Sequence, residues 1–362
     1  MNGIRTVDQV PSGESITASW LTGVLHDAGH PEARVRSFTA TQIGTGQIGK
    51  CVRFTLDVDG DSTAPRSLVG KFPSDDPVSR ATGVMLKNYV KEVSFYRQMQ
   101  ARVSISTPRC YYARIDGEGP HFALLLEDLA PARQGDQLLG CSAEVARAAV
   151  LELVGLHAPS WCDASLRGVE WLGEPDAAGA ENLRALYRAH LPGFLDRYGA
   201  ALAADERAVI AAVGESSGEP FGGLPAPFSL IHIDYRLDNL LIDERVRPPR
   251  VSVVDWQSIT LGRPLGDVAY FLGAGMAPDA RRVAERDIVR AYYTALRARG
   301  IDGYDWHACW DDYRRGAFAG FSVTVIASML VQRTERGDAM FTAMARRHAR
   351  HAIDVGAHEF LN

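Results

Sequence analysis

The stretch Ile231-His232-Ile233-Asp234-Tyr235-Arg236-Leu237-Asp238-Asn239-Leu240-Leu241-Ile242, with Val251-Ser252-Val253-Val254-Asp255-Trp256-Gln257 after it, decides how this chain is read. Short apolar runs of β type alternate here with acids and an amide. His232, Asp234 and Asn239 stand in the spacing H-x-D-x-x-x-x-N, and Asp255 falls sixteen residues after Asn239 at the end of an apolar run. Asp and Asn often do no more than cap and turn a β-hairpin. That use alone leaves unexplained why two apolar runs each end in acid at this spacing, and what stands upstream of them.

Upstream, Gly44-Thr45-Gly46-Gln47-Ile48-Gly49-Lys50 follows a strand pattern over 37–43. After it, Val52, Phe54, Leu56 and Val58 alternate with Arg53, Thr55 and Asp57. That period of two marks a half-buried strand. The dinucleotide fingerprint and the Walker A loop both require a helix after the glycines. A Walker loop also needs a hydroxyl where Cys51 stands. A glycine hairpin folded over nucleotide phosphates fits the flanking strands, with Gly44, Gly46 and Gly49 as candidate contacts.

Lysine occurs only at 50, 71, 87 and 91, and arginine supplies the rest of the 39 basic residues. A lysine kept in the strand 67–72 therefore stands out. Glu92 shares a helix face with Phe95, Tyr96 and Met99, at i+3, i+4 and i+7. A carboxylate on a packed face needs a partner. The spacing predicts a Lys71–Glu92 ion pair that aims the lysine at ATP phosphates.

Phosphoryl transfer gives these residue types a common purpose. The attacking hydroxyl must be oriented and relieved of its proton, which Asp234 can accept. Magnesium prefers hard oxygen ligands, and Asn239 and Asp255 offer an amide oxygen and a carboxylate. Arg236, two residues past Asp234, adds positive charge beside the transferring group. His232 reads as a brace. The chain is thus expected to be an ATP- and Mg2+-dependent O-phosphotransferase acting on a small-molecule hydroxyl. The alternative is a nucleotide-binding pseudokinase serving as an interaction module. Against it, Asp234, Asn239 and Asp255 are all present.

The element order is read as a helix over 16–27, strands over 37–43, 52–58 and 67–72, one long helix over 77–103, and strands over 109–115 and 121–129. This is a compact βββαββ lobe over 1–129. Residues 130–362 read as a larger, mainly helical lobe. Its helices are expected at 143–157, 180–189, 200–213, 277–299, 306–332 and 339–359, with short strands at 228–233, 240–242 and 251–254. Ser142 is the expected N-cap of the first of these helices.

With these residues in hand, the sequence resembles the aminoglycoside phosphotransferase-like family, also called the phosphotransferase enzyme family, from about Ile43 to Leu272. Asp255-Trp256-Gln257, Gly262 and Asp267-Val268-Ala269-Tyr270-Phe271-Leu272 look like that family's metal loop and following helix. So do Glu92-Val93-Ser94-Phe95-Tyr96 and Leu156-His157-Ala158 in their places. The resemblance implies an α+β, two-lobed protein-kinase-like fold. It implies ATP in the cleft, adenine against Glu127 to Leu129, and a structural role for Asp267. The family has glycine between the histidine and the catalytic aspartate; here Ile233 stands. Second-lobe helices build the acceptor site in such folds. Trp161, Trp171, Trp306, Trp310, Asp311 and Asp312 are candidate walls. Acids there would favour a cationic acceptor such as an aminoglycoside or choline, while the likeness to ecdysteroid kinase-like proteins keeps neutral acceptors open. A protein kinase is disfavoured, since the stretch 256–266 is short and no A-P-E segment follows.

Bulk composition sets outer bounds. A length of 362 residues suits two lobes. A net charge of -5 argues against nucleic-acid binding through bulk phosphate attraction. The five cysteines show no CxxC pair and read as reduced thiols of a cytoplasmic protein. The first twenty residues lack a basic start followed by an apolar run. The uncharged stretch 316–332 is expected to be a buried helix and not a membrane span.

Overall fold

The computed structural model describes residues 10–44, 48–174, 176–216 and 226–361. The chain divides into two compact units. The first is Met1–Ala101 with Thr107–Ala130, and the second is Arg102–Ser106 with Pro131–Asn362.

In the first unit, α1 (Ala18–Asp27) starts at Thr17, whose hydroxyl accepts a bond from the Trp20 amide at 3.1 Å. β1 (Arg34–Ile43), β2 (Gly49–Asp59) and β3 (Ser67–Pro73) follow, then α2 (Pro77–Met85), α3 (Asn88–Ser94), β4 (Cys110–Ile115) and β5 (Phe122–Glu127). The strands form one antiparallel sheet in the order β1-β2-β3-β5-β4. On β2 the alternation works as its sequence demands: Val52, Phe54, Leu56 and Val58 are buried while Thr55 and Asp57 face solvent. Phe54, Leu68 and Phe72 pack with Leu21 and Leu25 of α1. Each such side chain contributes about 1.5–3 kcal/mol by leaving water.

The single helix expected over 77–103 is broken. Leu86 closes α2, Lys87 takes a left-handed φ of 56°, and α3 restarts at Asn88 before Phe95–Met99 winds as a π-helical turn. The apolar period runs through both pieces and the turning residue is a lysine, so the pattern carries no sign of the break.

The second unit opens with β6 (Arg133–Gln134), α4 (Ala143–Glu152), α5 (Val154–His157), α6 (Ala177–Tyr198) and α7 (Ala204–Glu215). Next come β7 (Ser229–Ile231), β8 (Leu240–Asp243), β9 (Arg250–Val253) and β10 (Thr260–Gly262). Six helices close it: α8 (Pro264–Gly275), α9 (Pro278–Ala298), α10 (Trp306–Gly316), α11 (Ala319–Ser322), α12 (Ser328–Leu330) and α13 (Glu335–Asp354). The strands make two small sheets, β6-β8-β9 and β10-β7. Ser142 caps α4 by accepting the Val145 amide at 3.2 Å. Tyr187 and Phe194 of α6, Ile210 and Val213 of α7, Phe318, Phe321 and the alanine stripe Ala345, Ala349 and Ala352 of α13 form one of its apolar clusters.

Three further helix expectations change. The helix over 143–157 is interrupted at Leu153. The one over 180–189 extends from 177 to 198 with Pro192 inside it. The helix over 306–332 divides into α10, α11, a π-helical turn over Val323–Ala327 and α12. Gly316, at the first of these breaks, lies where a Cβ would sit 2.7 Å from the Leu265 carbonyl oxygen, so α10 closes on α8 only through a glycine. β6 and β10, of two and three residues, were not expected. Among the described residues, no helix is long and apolar enough to cross a membrane. The α+β class expected from the sequence is met, with an antiparallel sheet in one unit and mainly helices in the other.

Candidate active site

In the second unit the loop from β7 to β8 carries His232, Asp234, Arg236 and Asn239. Its start is held from α8. The buried Asp267 carboxylate accepts the His232 amide at 2.6 Å and the Ile233 amide at 3.0 Å. His157 Nε2 lies 3.5 Å from the same carboxylate, and His157 Nδ1 bonds the Tyr292 hydroxyl at 2.7 Å. The buried His232 ring stands 5.0 Å from Trp256, with Nε2 at 3.1 Å from the Val254 carbonyl. Ile233 has a φ of 67°, in the left-handed region where a β-branched residue is an outlier. A glycine there has no such cost. The departure from the family glycine is therefore a matter of backbone conformation as well as side-chain bulk.

Asp234 is one-fifth exposed. The Tyr270 hydroxyl donates to its Oδ1 at 2.9 Å, and Arg236 Nε lies 2.9 Å from the same oxygen. Asn239 Nδ2 donates to its Oδ2 at 2.9 Å and to its backbone carbonyl at 2.8 Å. Arg236 Nη1 also reaches Asp238 Oδ2 at 2.7 Å and Met340 Sδ at 3.0 Å. Burial pulls the Arg236 pKa down, but Asp234, Tyr270 and Asp238 outweigh it and hold the guanidinium charged. For Tyr270, burial and then the Asp234 charge push the phenol pKa well up, so it stays a donor. In the sequence Tyr270 stands out only as part of the helix that follows Asp255-Trp256-Gln257. Its one signal was local: it stands three residues after Asp267, on the same helix face.

Asn239 spends its amide nitrogen on Asp234, so its amide oxygen is the atom that could hold a metal. The Val254 amide donates to the Asn239 carbonyl at 3.0 Å, which ties the end of β9 to this residue. Asp255 comes next, at φ 68° and ψ 60°, and Gln257 Nε2 lies 3.3 Å from its Oδ2. An amide oxygen and a carboxylate suit magnesium. No group of three or more His, Cys, Asp or Glu that could hold a metal occurs among the described residues. Magnesium needs none, because phosphate oxygens and waters complete its shell.

In the first unit, Lys71 Nζ lies 2.8 and 2.7 Å from the two Glu92 oxygens, with side chains 12% and 2% exposed. Removing one partner from so buried a pair costs about 3–5 kcal/mol. Gly49 stands where a Cβ would come 3.0 Å from Lys71 Cε, so the lysine stem passes over a glycine. Gly44 has a φ of 71°. Gly46 lies outside the described residues. Glu127 is exposed at the end of β5, where Oε2 accepts the Arg109 amide at 3.1 Å, and Leu129 is half-buried. Between them, Asp128 pairs with Arg53 at 2.7 Å.

The candidate acceptor-wall residues have several different partners. Trp306 and Trp310 stack at 5.8 Å, with Arg290 3.6 Å over the first and Arg286 5.0 Å over the second. Trp161 lies 5.1 Å from Tyr304 and shares with Cys162, Ala226, Pro227 and Ile301 a hollow of about 430 Å³. Asp312 accepts the Tyr304 hydroxyl at 2.7 Å and lies 3.8 Å from Arg263, while Asp311 sits 3.5 Å from Arg314. Trp171 is half-buried. Arginines of the chain itself stand at Trp306, Trp310, Asp311 and Asp312.

The sequence profile of the phosphotransferase enzyme family matches residues 61–314. No curated protein matches the sequence. Among solved structures, the GDP complex of wild-type aminoglycoside 2'-phosphotransferase-IIIa superposes with a TM-score of 0.54 at 15% identity, covering 92% of this chain and 99% of that one. The GDP and kanamycin complex of APH(2")-IIia gives 0.50 at 14% identity, over 85% of this chain and 91% of that one. An ethanolamine kinase of Plasmodium vivax gives 0.48 at 10% identity, over 86% and 81%. At such identities the likeness is one of fold.

Proposed function

The chain belongs to the phosphotransferase enzyme family, and on that premise we propose that it transfers the γ-phosphoryl group of Mg-ATP to a hydroxyl of a small molecule. The observation that carries this reading is the Asp234 carboxylate, held at both oxygens by Tyr270, Arg236 and Asn239. Asp234 orients the acceptor hydroxyl and takes its proton as the new O–P bond forms and the bond to the β-phosphate oxygen breaks, releasing ADP. The Asn239 amide oxygen and Asp255 would hold magnesium, whose chemistry there would be the neutralisation of phosphate charge. Arg236 keeps a positive charge beside the reacting aspartate. In the first unit, Lys71, aimed by Glu92, binds nucleotide phosphates, and Gly44 and Gly49 leave the backbone open to approach them. Glu127 and Leu129 bound the segment read as the adenine contact.

Thermal melting tests this reading, with Mg-ATP set against Mg-GTP and metal-free ATP. GTP is the necessary control because two of the fold neighbours were captured with GDP. A magnesium-dependent rise with ATP is expected, worth about 2.7 kcal/mol at a nucleotide concentration a hundredfold above Kd. Absence of a shift with any nucleotide at millimolar concentration would overturn nucleotide use. The Asp234→Asn variant should keep the shift and lose ADP release in a screen of alcohols, sugars and aminoglycosides. Turnover near that of the native chain would remove Asp234 from the reaction.

A further inference from the structure

We propose that Tyr270 is a positioning residue for the transfer, one that fixes the orientation of the Asp234 carboxylate from a rigid helix. The proposal rests on the reading of Asp234 as the base. Asp267 and Tyr270 are three residues apart on α8 and so face the same way. Asp267 holds the backbone of the loop through the amides of His232 and Ile233. Tyr270, one turn further on, holds the side chain of the next residue through Oδ1. One face of one helix thus sets both the path of the loop and the direction of its acid.

The phenol is well suited to this. Tyr270 is 1% exposed, and its ring packs 5.2 Å from His348 of α13, beside Ala274 and Met344. Its hydroxyl has little room to turn, and a buried hydroxyl needs a partner. Asp234 is that partner. Burial keeps the phenol protonated, so it donates and does not compete for the acceptor's proton.

With Tyr270 on Oδ1 and Asn239 on Oδ2, rotation of the carboxylate is blocked at both ends. A carboxylate has about four lone-pair sites. These two donors and Arg236 leave room for an acceptor hydroxyl. Arg236 cannot set the orientation alone, since its guanidinium is shared with Asp238 and Met340. A long side chain divided among partners is a poorer reference than a ring packed into a helix interface.

Tyr270→Phe removes the hydroxyl and keeps the ring. Its kcat and KM for Mg-ATP would be read from ADP release with water as the acceptor, beside the native chain and Asp234→Asn. The expected result is a fall in kcat on the order of tenfold with KM for Mg-ATP unchanged, the mark of a misplaced catalytic group. Full kcat in Tyr270→Phe beside a dead Asp234→Asn would reduce Tyr270 to packing and leave the base standing. Native rates in Asp234→Asn would sink the base, and the positioning role with it. A raised KM at native kcat would also overturn the proposal. Urea unfolding of the native chain, the two single variants and the double variant gives a readout that needs no turnover. The double variant should lose less than the sum of the two single losses, because Asp234→Asn weakens the bond by taking away the acceptor's charge and Tyr270→Phe removes it. Additive losses would count against any coupling between the two side chains.

Discussion

Ile233 and Asp255 both have φ near +67°, and neither is glycine. Such a conformation costs an L-residue roughly 1–2 kcal/mol. It persists where the surroundings over-determine it. At Ile233 the cause is visible: Asp267 accepts this amide and the one before it, so two bonds to one buried carboxylate fix the turn. The consequence is an inverted preference. At an ordinary position alanine is more stable than glycine, but at positive φ the order reverses. Ile233→Gly should therefore be more stable than Ile233→Ala by about 1 kcal/mol in denaturant unfolding. Both lose the same side chain, so only the backbone separates them. An alanine variant at least as stable as the glycine variant would show that the turn relaxes.

Two helices do most to define the loop region, and they differ in how they carry polar groups. On α8, Asp267 and Tyr270 each find partners in the loop. On α13, His348 and His351 are fully buried with no hydrogen bond to either ring nitrogen. His348 faces Tyr270 of α8 and Phe321 of α11. His351 faces Tyr313 of α10 and, at 3.6 Å, Glu285 of α9, which is paired with Arg281. Burial, and then the charge of Arg347 and Arg281, pushes the His348 pKa down to about 3, and His351 is lowered by burial and Arg281. The unfolded chain titrates near 6.5. Between the two values the unfolded state binds protons that the folded state refuses. Stability is therefore whole above about pH 6.5 and lost as pH falls towards 3, at up to ~1.4 kcal/mol per pH unit for each histidine. Unfolding midpoints taken from pH 7 to pH 5 should fall less steeply in His348→Gln than in the native chain. Equal slopes would mean that the His348 ring gains a proton without unfolding.

At the scale of the whole chain, each unit has an apolar cluster of its own, one around Phe54, Leu68 and Phe72, the other around Phe194, Phe318 and Phe321. Separate apolar clusters in the two units predict unfolding that is not two-state. The calorimetric enthalpy should exceed the van't Hoff enthalpy, and one transition with equal enthalpies would show the units melting together. Much of this architecture was readable in advance because its signals are local. The alternation on β2 needs only neighbours two apart, the Glu92 face needs little more than one helix turn, and the set Asp234, Asn239 and Asp255 lies in one short stretch over 234–255. From these the sequence by itself determined the α+β class, the run of five strands in the first unit, and the acids and amide on which phosphoryl transfer is proposed to rest. Tertiary structure alone decided the rest. Tyr270 meets Asp234 from 36 residues away, and Asp267 meets His232 from 35. The helix over 77–103 breaks at a lysine that no propensity marks. Ile233 turns left-handed although its side chain opposes it. Around the loop the physical reason is common: a hydrogen bond or a turn imposed by a distant, packed element can outweigh a local preference of one or two kcal/mol, and no window of sequence contains both sides of that balance.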